Sequence, residues 1–236
     1  MTFAPAGVVA SAVIDTFLPS MLPNLALWLD ASNTASLPAT TPVPTWSDVS
    51  GKGFHYTAAG ALQPTREATG LNGKPCVRFD GTQMMTRNAF VAHVDSFLMC
   101  AVVRTDAGQP TTIRPWGALG DNSHVAAAQQ TEGGPYYGWV FGGIAWIYAD
   151  NAKVDVWDVM TVHRDGTNTT CRSLGVQLGG PDGTTPNPAT NPSTIGGDAY
   201  GPKPKCRIAE YVVVDGAWTA TNRDRLESYL KTKWGL

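Results

Sequence analysis

SFLMCAVVR, residues 96–104, is almost without polar interruption between Ser96 and Arg104. A strand with one wet face alternates apolar and polar residues, whereas a short, nearly continuous apolar run suits a strand buried on both faces. RIAEYVVV, residues 207–214, reads as the last strand and ends at Asp215-Gly216.

Outward from these runs the pattern is strand, turn, strand. Leu25-Ala26-Leu27-Trp28-Leu29 is a short apolar run ending at Asp30. KPCVRF (74–79) precedes the turn signal Asp80-Gly81, and a partner strand is expected around Met84 and Met85. Further strands are expected at Trp116 to Leu119, Tyr136 to Phe141 and Ile144 to Tyr148, the last two as a hairpin about Gly142-Gly143. Val156 to Arg164 and Thr169 to Gln177 flank Asp165-Gly166, a second hairpin signal. Residues 179–205 are rich in proline and glycine and read as a surface loop, apart from Ser193 to Ile195.

The C-terminal segment changes period. Leu226, Tyr229, Leu230 and Trp234 fall on one face of a helix, with Thr219 or Thr221 as N-cap. Lys231 and Lys233 sit in the last turn and Gly235 stops it. The helix is expected on the edge of the sandwich. The fold class is therefore all-β: a two-sheet antiparallel jelly-roll sandwich with one short C-terminal helix, spanning residues 24–236, after an arm at 1–23.

Composition fits that reading. Of the 236 residues, 43% are hydrophobic and 15% charged, so a large core can form. The net charge of −2 and the absence of basic runs give no nucleic-acid footprint. No segment has the length of apolar chain that spans a membrane. Residues 1–23 lack the positive start of a signal peptide, and Pro5 and Asp15 interrupt them. Cys76, Cys100, Cys171 and Cys206 form no CxxC pair and read as reduced, buried thiols, with disulfides as the alternative in an oxidising compartment.

Three stretches then carry a resemblance. They are LALWLDASN; PTWSDVSGKGFHYTA; and QPTREATGLNGKPCVRFDGTQMM. With the closing RIAEYVVVDGAWTATNRDRLESYLKTKWGL, they resemble laminin G-like (pentraxin-like) jelly-roll domains of the concanavalin A-like superfamily, of the bacterial and phage type. The matching positions are Trp28 to Ala31; Trp46, Asp48, Ser50, Gly51 and Gly53; and Gly73 to Gly81. The resemblance covers residues 24–104 and 157–236 and implies the fold. It also implies that Trp28, Trp46 and Trp234 are structural. It does not select a function, because members bind glycans, bind proteins, build structures or hydrolyse polysaccharides.

For hydrolysis, the superfamily's glucanases carry their carboxylates on one strand at i, i+2 and i+4, which share a face. The four glutamates here are Glu67, Glu132, Glu210 and Glu227, and no two acidic residues are two or four positions apart. The expectation is no catalytic residue and no enzyme, although Glu210 opposite an Asp from another strand is an arrangement the sequence leaves open. His55, His93, His124 and His163 form no metal-binding or catalytic spacing. Calcium is a weaker candidate: Asp121-Asn122 and Asp150-Asn151 lie in expected loops, as do Asp48 and Asp80, but such residues also make turns by bonding their own backbone.

The strongest binding signal is aromatic. Trp116, Tyr136, Tyr137, Trp139, Trp146 and Tyr148 cluster in the middle third, with Asp121 and Asn122 near them in sequence. Sugar rings stack on such planes, while a sandwich core also consumes aromatics. The function expected is a structural or binding module: a phage virion protein (decoration, spike or tail adhesin) docking through residues 1–23, self-associating, and binding a host-surface glycan. The alternatives are a secreted carbohydrate-binding module and, behind it, a polysaccharide hydrolase or lyase.

Overall fold

The computed structural model describes residues 16–88, 95–108, 114–118, 127–131, 136–141, 145–150, 154–183, 192–197 and 203–236. The strands from 114 to 150 are described by backbone and register. The strands are β1 (Leu25–Asp30), β2 (Thr45–Trp46), β3 (Tyr56–Thr57), β4 (Thr65–Leu71), β5 (Lys74–Asp80), β6 (Met85–Arg87), β7 (Ser96–Thr105) and β8 (Arg114–Ala118). They continue as β9 (Ala127–Thr131), β10 (Tyr136–Phe141), β11 (Ala145–Asp150), β12 (Trp157–Asp165), β13 (Thr169–Ser173), β14 (Val176–Asp182), β15 (Ser193–Ile195) and β16 (Lys205–Asp215). One helix, α1 (Ala220–Trp234), closes the chain.

The strands form two antiparallel sheets. The first runs β14-β13-β12-β7-β16-β5-β4, and the second runs β11-β10-β9-β8-β15-β6-β3-β2. Strand β16 is long enough to pair β5 along residues 205–208 and β1 along 210–214, so β1 also joins the first sheet. The all-β sandwich expected from the sequence is what the chain forms.

Burial on both faces of β7 is explained by what lies on each. Phe97, Met99, Ala101 and Val103 point into the core between the sheets, with Leu27, Trp46, Phe79, Met85 and Tyr211. Leu98, Cys100 and Val102 point the other way, into a second core with Val212, Leu226, Leu230 and Trp234. The helix therefore lies on the outer face of the first sheet, not on the sandwich edge as expected. The reason is apolar area. The outer faces of β7 and β16 would otherwise stand in water, and each large apolar side chain removed from it contributes ~1.5–3 kcal/mol.

The caps act as read: Thr219 Oγ1 accepts the Asn222 N–H at 3.2 Å, and Gly235 ends the helix at φ 70°. Two side chains from the β4–β5 hairpin add to this. Asn72 Nδ2 donates to the Trp234 carbonyl at 2.6 Å, and Lys74 Nζ donates to that of Lys233.

Two local expectations are corrected. Thr169 to Gln177 is not one strand. The chain reverses at Leu174-Gly175, both at positive φ (49° and 88°), and β13 pairs with β14. The Leu disguises a turn that an Asn in its place would have announced. Strand β6 is not the hairpin partner of β5: Asp80-Gly81 is a corner through which the chain crosses into the other sheet, where β6 pairs with β3 and β15.

Residues 16–23 are fixed to the domain. Phe17 and Leu22 are buried in the second core, and Pro19–Met21 make a turn of 3-10 helix, while Leu18 and Met21 are 44% and 57% exposed. Residues 1–15 of the expected arm lie outside the described residues. No helix among the described residues is long and apolar enough to cross a membrane.

Candidate functional site

Glu210 is a buried carboxylate in the middle of β16. In β1–β16 register it stands opposite Asp30, the cross-strand pair that the sequence left open. Glu210 is 0% and Asp30 5% exposed. Glu210 Oε1 accepts the Trp28 indole N–H at 2.7 Å and the Tyr229 hydroxyl at 3.3 Å. Oε2 accepts Lys233 Nζ and the Trp234 indole N–H, each at 2.6 Å. Lys233 also lies 2.7 Å from Asp30 Oδ2, so it bridges the two carboxylates. Burial and the nearby Asp30 push the Glu210 carboxyl up, and Lys233 and Trp234 pull it back. Both oxygens are occupied and closed to water. Glu210 is a structural anchor that ties α1 to β1 and β16.

Asp48 and Asp80, the calcium candidates in the motif turns, use both oxygens in the first case and one in the second to hold the local backbone. Asp48 Oδ1 accepts the N–H groups of Trp28 (2.9 Å) and Ser50 (2.8 Å), and Oδ2 accepts Ser50 Oγ (2.8 Å) and the Phe54 N–H (3.0 Å). Asp80 Oδ1 takes the Thr82 N–H and hydroxyl. Among the described residues no group of three or more His, Cys, Asp or Glu comes together to hold a metal. The four cysteines form no disulfide and are buried. His163 is buried against Trp218 and below Arg223. Burial, aided by the Arg223 and Arg172 charges, lowers its imidazole to about 4.

The loop that Asp48 organises frames a cleft. Residues 52–57 and the end of β6 enclose about 550 Å³ at the rim of the sandwich, lined by Lys52, Phe54, His55, Thr57, Thr86 and Arg87, with Asn88 and Pro192 at its margin. The His55 ring is fixed, because Nδ1 accepts the Asp48 N–H at 3.0 Å. The Arg87 guanidinium lies over the Phe54 ring, 3.9 Å from its centroid, and its Nε donates to the Asn88 carbonyl at 2.9 Å. Desolvation lowers the guanidinium from its usual value. Thr57 and Thr86 are register partners on β3 and β6. Both also line an adjoining hollow of about 330 Å³ with Ala58, Ala59, Leu62 and Met84.

The aromatic candidates are spread over three strands. Trp116 is on β8, Tyr136, Tyr137 and Trp139 on β10, and Trp146 and Tyr148 on β11. The expected hairpin forms, with Trp139 opposite Ile147 and Val140 opposite Trp146. Opposed residues share a face, so Tyr136, Trp146 and Tyr148 belong to one face and Tyr137 and Trp139 to the other. Asp121, Asn122 and Asn151 lie outside the described residues. The rim cleft was missed because Lys52 sits inside the Trp46-to-Gly53 motif stretch, Phe54 directly follows it, and Arg87 ends an unremarkable strand. The usable signal was a Lys, an aromatic and a His within four residues, on a loop whose glycines (Gly51 and Gly53, φ 86° and 75°) set its shape.

No family model matches the chain. No curated protein matches it. Solved structures do. Trypanosoma rangeli sialidase superposes with a TM-score of 0.65 at 14% identity over 89% of this chain, which spans 33% of the sialidase. Domain 4 of AbnA, a GH43 extracellular arabinanase from Geobacillus stearothermophilus, solved with arabinotriose, gives a TM-score of 0.64 at 13% identity over 87% of this chain and 99% of that one. The botulinum neurotoxin type G receptor-binding domain gives 0.60 at 12% identity over 88% and 52%. At such identities the likeness is one of fold. It corrects one expectation nonetheless. The absence of strand-borne carboxylate pairs was read as excluding an enzyme, yet this fold occurs within chains named as a sialidase and an arabinanase, so that exclusion does not stand.

Proposed function

We propose that the chain is a carbohydrate-binding β-sandwich whose sugar site is the rim cleft at Lys52, Phe54, His55 and Arg87. The observation that carries this is the cleft itself. It is the described surface where a fixed imidazole, two cations, two threonines and an amide converge on a hollow of about 550 Å³. Concave sites with a few convergent polar groups are the usual form of small-ligand sites. The likeness to domain 4 of the arabinanase, which is matched over 99% of its own length and 87% of this chain and was solved with arabinotriose, supports the reading at the level of fold. The aromatic set Trp116, Tyr136, Tyr137, Trp139, Trp146 and Tyr148, with Asp121 and Asn122, is the competing sugar surface. A panel of immobilised oligosaccharides, probed with the wild-type chain and with Asn88→Ala and Trp146→Ala, separates the two. Binding lost with Asn88→Ala alone supports the cleft. Binding lost with Trp146→Ala alone, or no binding on the panel, overturns it.

A second proposal concerns where the module works: on a virion, docked to capsid or tail proteins through residues 1–23 and self-associated there. Support comes from the resemblance at both ends of the sequence and from Leu18 and Met21, apolar and exposed beside the buried Phe17 and Leu22. Light scattering of the full chain against a chain lacking residues 1–15 tests it, since cutting past Phe17 would open the second core. A smaller species after truncation is the expected result. Unchanged size, together with unchanged incorporation into particles, counts against it.

A further inference from the structure

We propose that Asn72 is a site of deamidation, at which loss of the side-chain amide to water unfastens the C-terminal end of α1. The inference is independent of the sugar site.

The turn itself is the first observation. Asn72-Gly73 is the one Asn-Gly pair in the 236 residues. It makes the turn of the β4–β5 hairpin, between the register partners Leu71 and Lys74. Both residues are exposed, at φ 49° and 77°. A Cβ at Gly73 would meet nothing within 4 Å, so neither a side chain of its own nor a neighbour shields the Gly73 nitrogen.

The reaction this pair allows is intramolecular, which favours it through proximity. The Gly73 backbone nitrogen attacks Cγ of Asn72 and forms a C–N bond. The Cγ–Nδ2 bond breaks, and ammonia leaves with the proton that the Gly73 nitrogen gives up. Water then opens the cyclic imide at either carbonyl, which gives aspartate or isoaspartate. One water is consumed and one ammonia released, and no other reactant is needed.

What the amide holds is the second observation. Asn72 Nδ2 donates to the Trp234 carbonyl at 2.6 Å and to that of Gly235 at 3.3 Å. Carbonyls at a helix end have no partner within the helix. A carboxylate in place of the amide has no N–H to donate and sets negative charge against these oxygens. The negative end of the helix dipole adds to the repulsion. Lys74 Nζ, which donates to the Lys233 carbonyl and lies 5.6 Å from the centroid of the Trp234 ring, is a cation on the same hairpin that the new carboxylate draws from the helix. Isoaspartate also routes the main chain through the old side chain, which a two-residue turn between paired strands does not accommodate. Glu210 still holds the Trp234 indole from the other side. The end of α1 therefore loosens while the sandwich stays folded.

Ageing of the full chain tests this. Folded and urea-unfolded protein are kept in warm, mildly alkaline buffer and mapped at intervals by peptide mass spectrometry with isoaspartate detection. Hydrogen exchange over residues 229–236 is followed on the same folded samples. Asn72 should be converted in the folded chain within the period in which the unfolded chain loses it. The converted fraction should exchange severalfold faster at the helix end, with β7 and β16 unchanged. Asn72→Asp should show the fast exchange from the start; if it fails to fold, the aged wild-type chain carries the test. An Asn72 that keeps its amide while the unfolded chain loses it overturns the proposal. So does conversion that leaves exchange at 229–236 unchanged.

Discussion

The indole N–H of Trp234, in the last turn of α1, lies 2.6 Å from Glu210 Oε2 in the middle of β16. That bond, with Trp28, Tyr229 and Lys233 on the same carboxylate, gathers the opening and closing motifs of the sequence onto one buried charge. The Trp28-to-Ala31 stretch at one end of the sequence and the Tyr229-to-Trp234 helix turn at the other supply most of the residues of this cluster.

Breaking the cluster on one side should cost more than removing it. Lys233→Met leaves Asp30 and Glu210 buried, opposed and without their shared cation, and should lower stability by about 3–5 kcal/mol. The double variant Lys233→Met/Glu210→Gln should recover part of that loss. Urea denaturation of the wild type and the variants measures both, and additive losses would contradict a coupled cluster.

His163 sets a pH dependence. Its folded value of about 4 lies below the unfolded value near 6.5, so the unfolded chain binds the proton more readily. The stability that follows from a neutral, buried His163 is complete above pH ~6.5 and is lost as pH falls toward ~4, amounting to about 3 kcal/mol across that window. In His163→Gln this part of the acid destabilisation should disappear. Melting curves taken through the window decide it. A variant as acid-sensitive as the wild type would place the effect elsewhere.

The cysteines should be silent in the native state. Burial raises the Cys76 thiol to about 12, with Glu67 adding to it, and burial raises Cys100 and Cys206 above the usual thiol range. A thiol reacts through its thiolate, so a chromogenic disulfide reagent should label the folded chain slowly and the urea-unfolded chain fully. Rapid labelling without denaturant would contradict the burial described.

Gly196 should tolerate no side chain. At φ 76°, a Cβ there would meet the Phe79 ring at 2.0 Å. Gly196→Ala should cost about 2–4 kcal/mol through the strained backbone and the displaced ring. It would do so at the end of β15, next to the strand that borders the cleft. Thermal denaturation measures it, and an unchanged midpoint would refute the close approach.

Much of this fold can be read from the sequence because its strongest signals are physical ones. SFLMCAVVR could not be a one-sided strand, and the chain covers it on both sides. The helix announced its caps at Thr219 and Gly235. What escaped was information held by partners distant in sequence. The helix was placed on an edge because its apolar stripe names no partner, whereas the outer faces of β7 and β16 do once they are paired. Strand β4 escaped because TREATGL has no clear alternation, although Asn72-Gly73 at its end is a strong hairpin signal. The rim cleft escaped for the same reason: Lys52 and Arg87 are 35 positions apart and meet only because β3 pairs with β6.

The most direct test of the account is to map a bound sugar onto the chain. Amide shifts would be recorded on isotope-labelled protein as the tightest-binding oligosaccharide of the panel is added. The account requires the changes to gather at residues 52–57 and 86–88, with Thr57 and Thr86 among them. Changes centred on 136–148 instead, or none with any sugar of the panel, would contradict it.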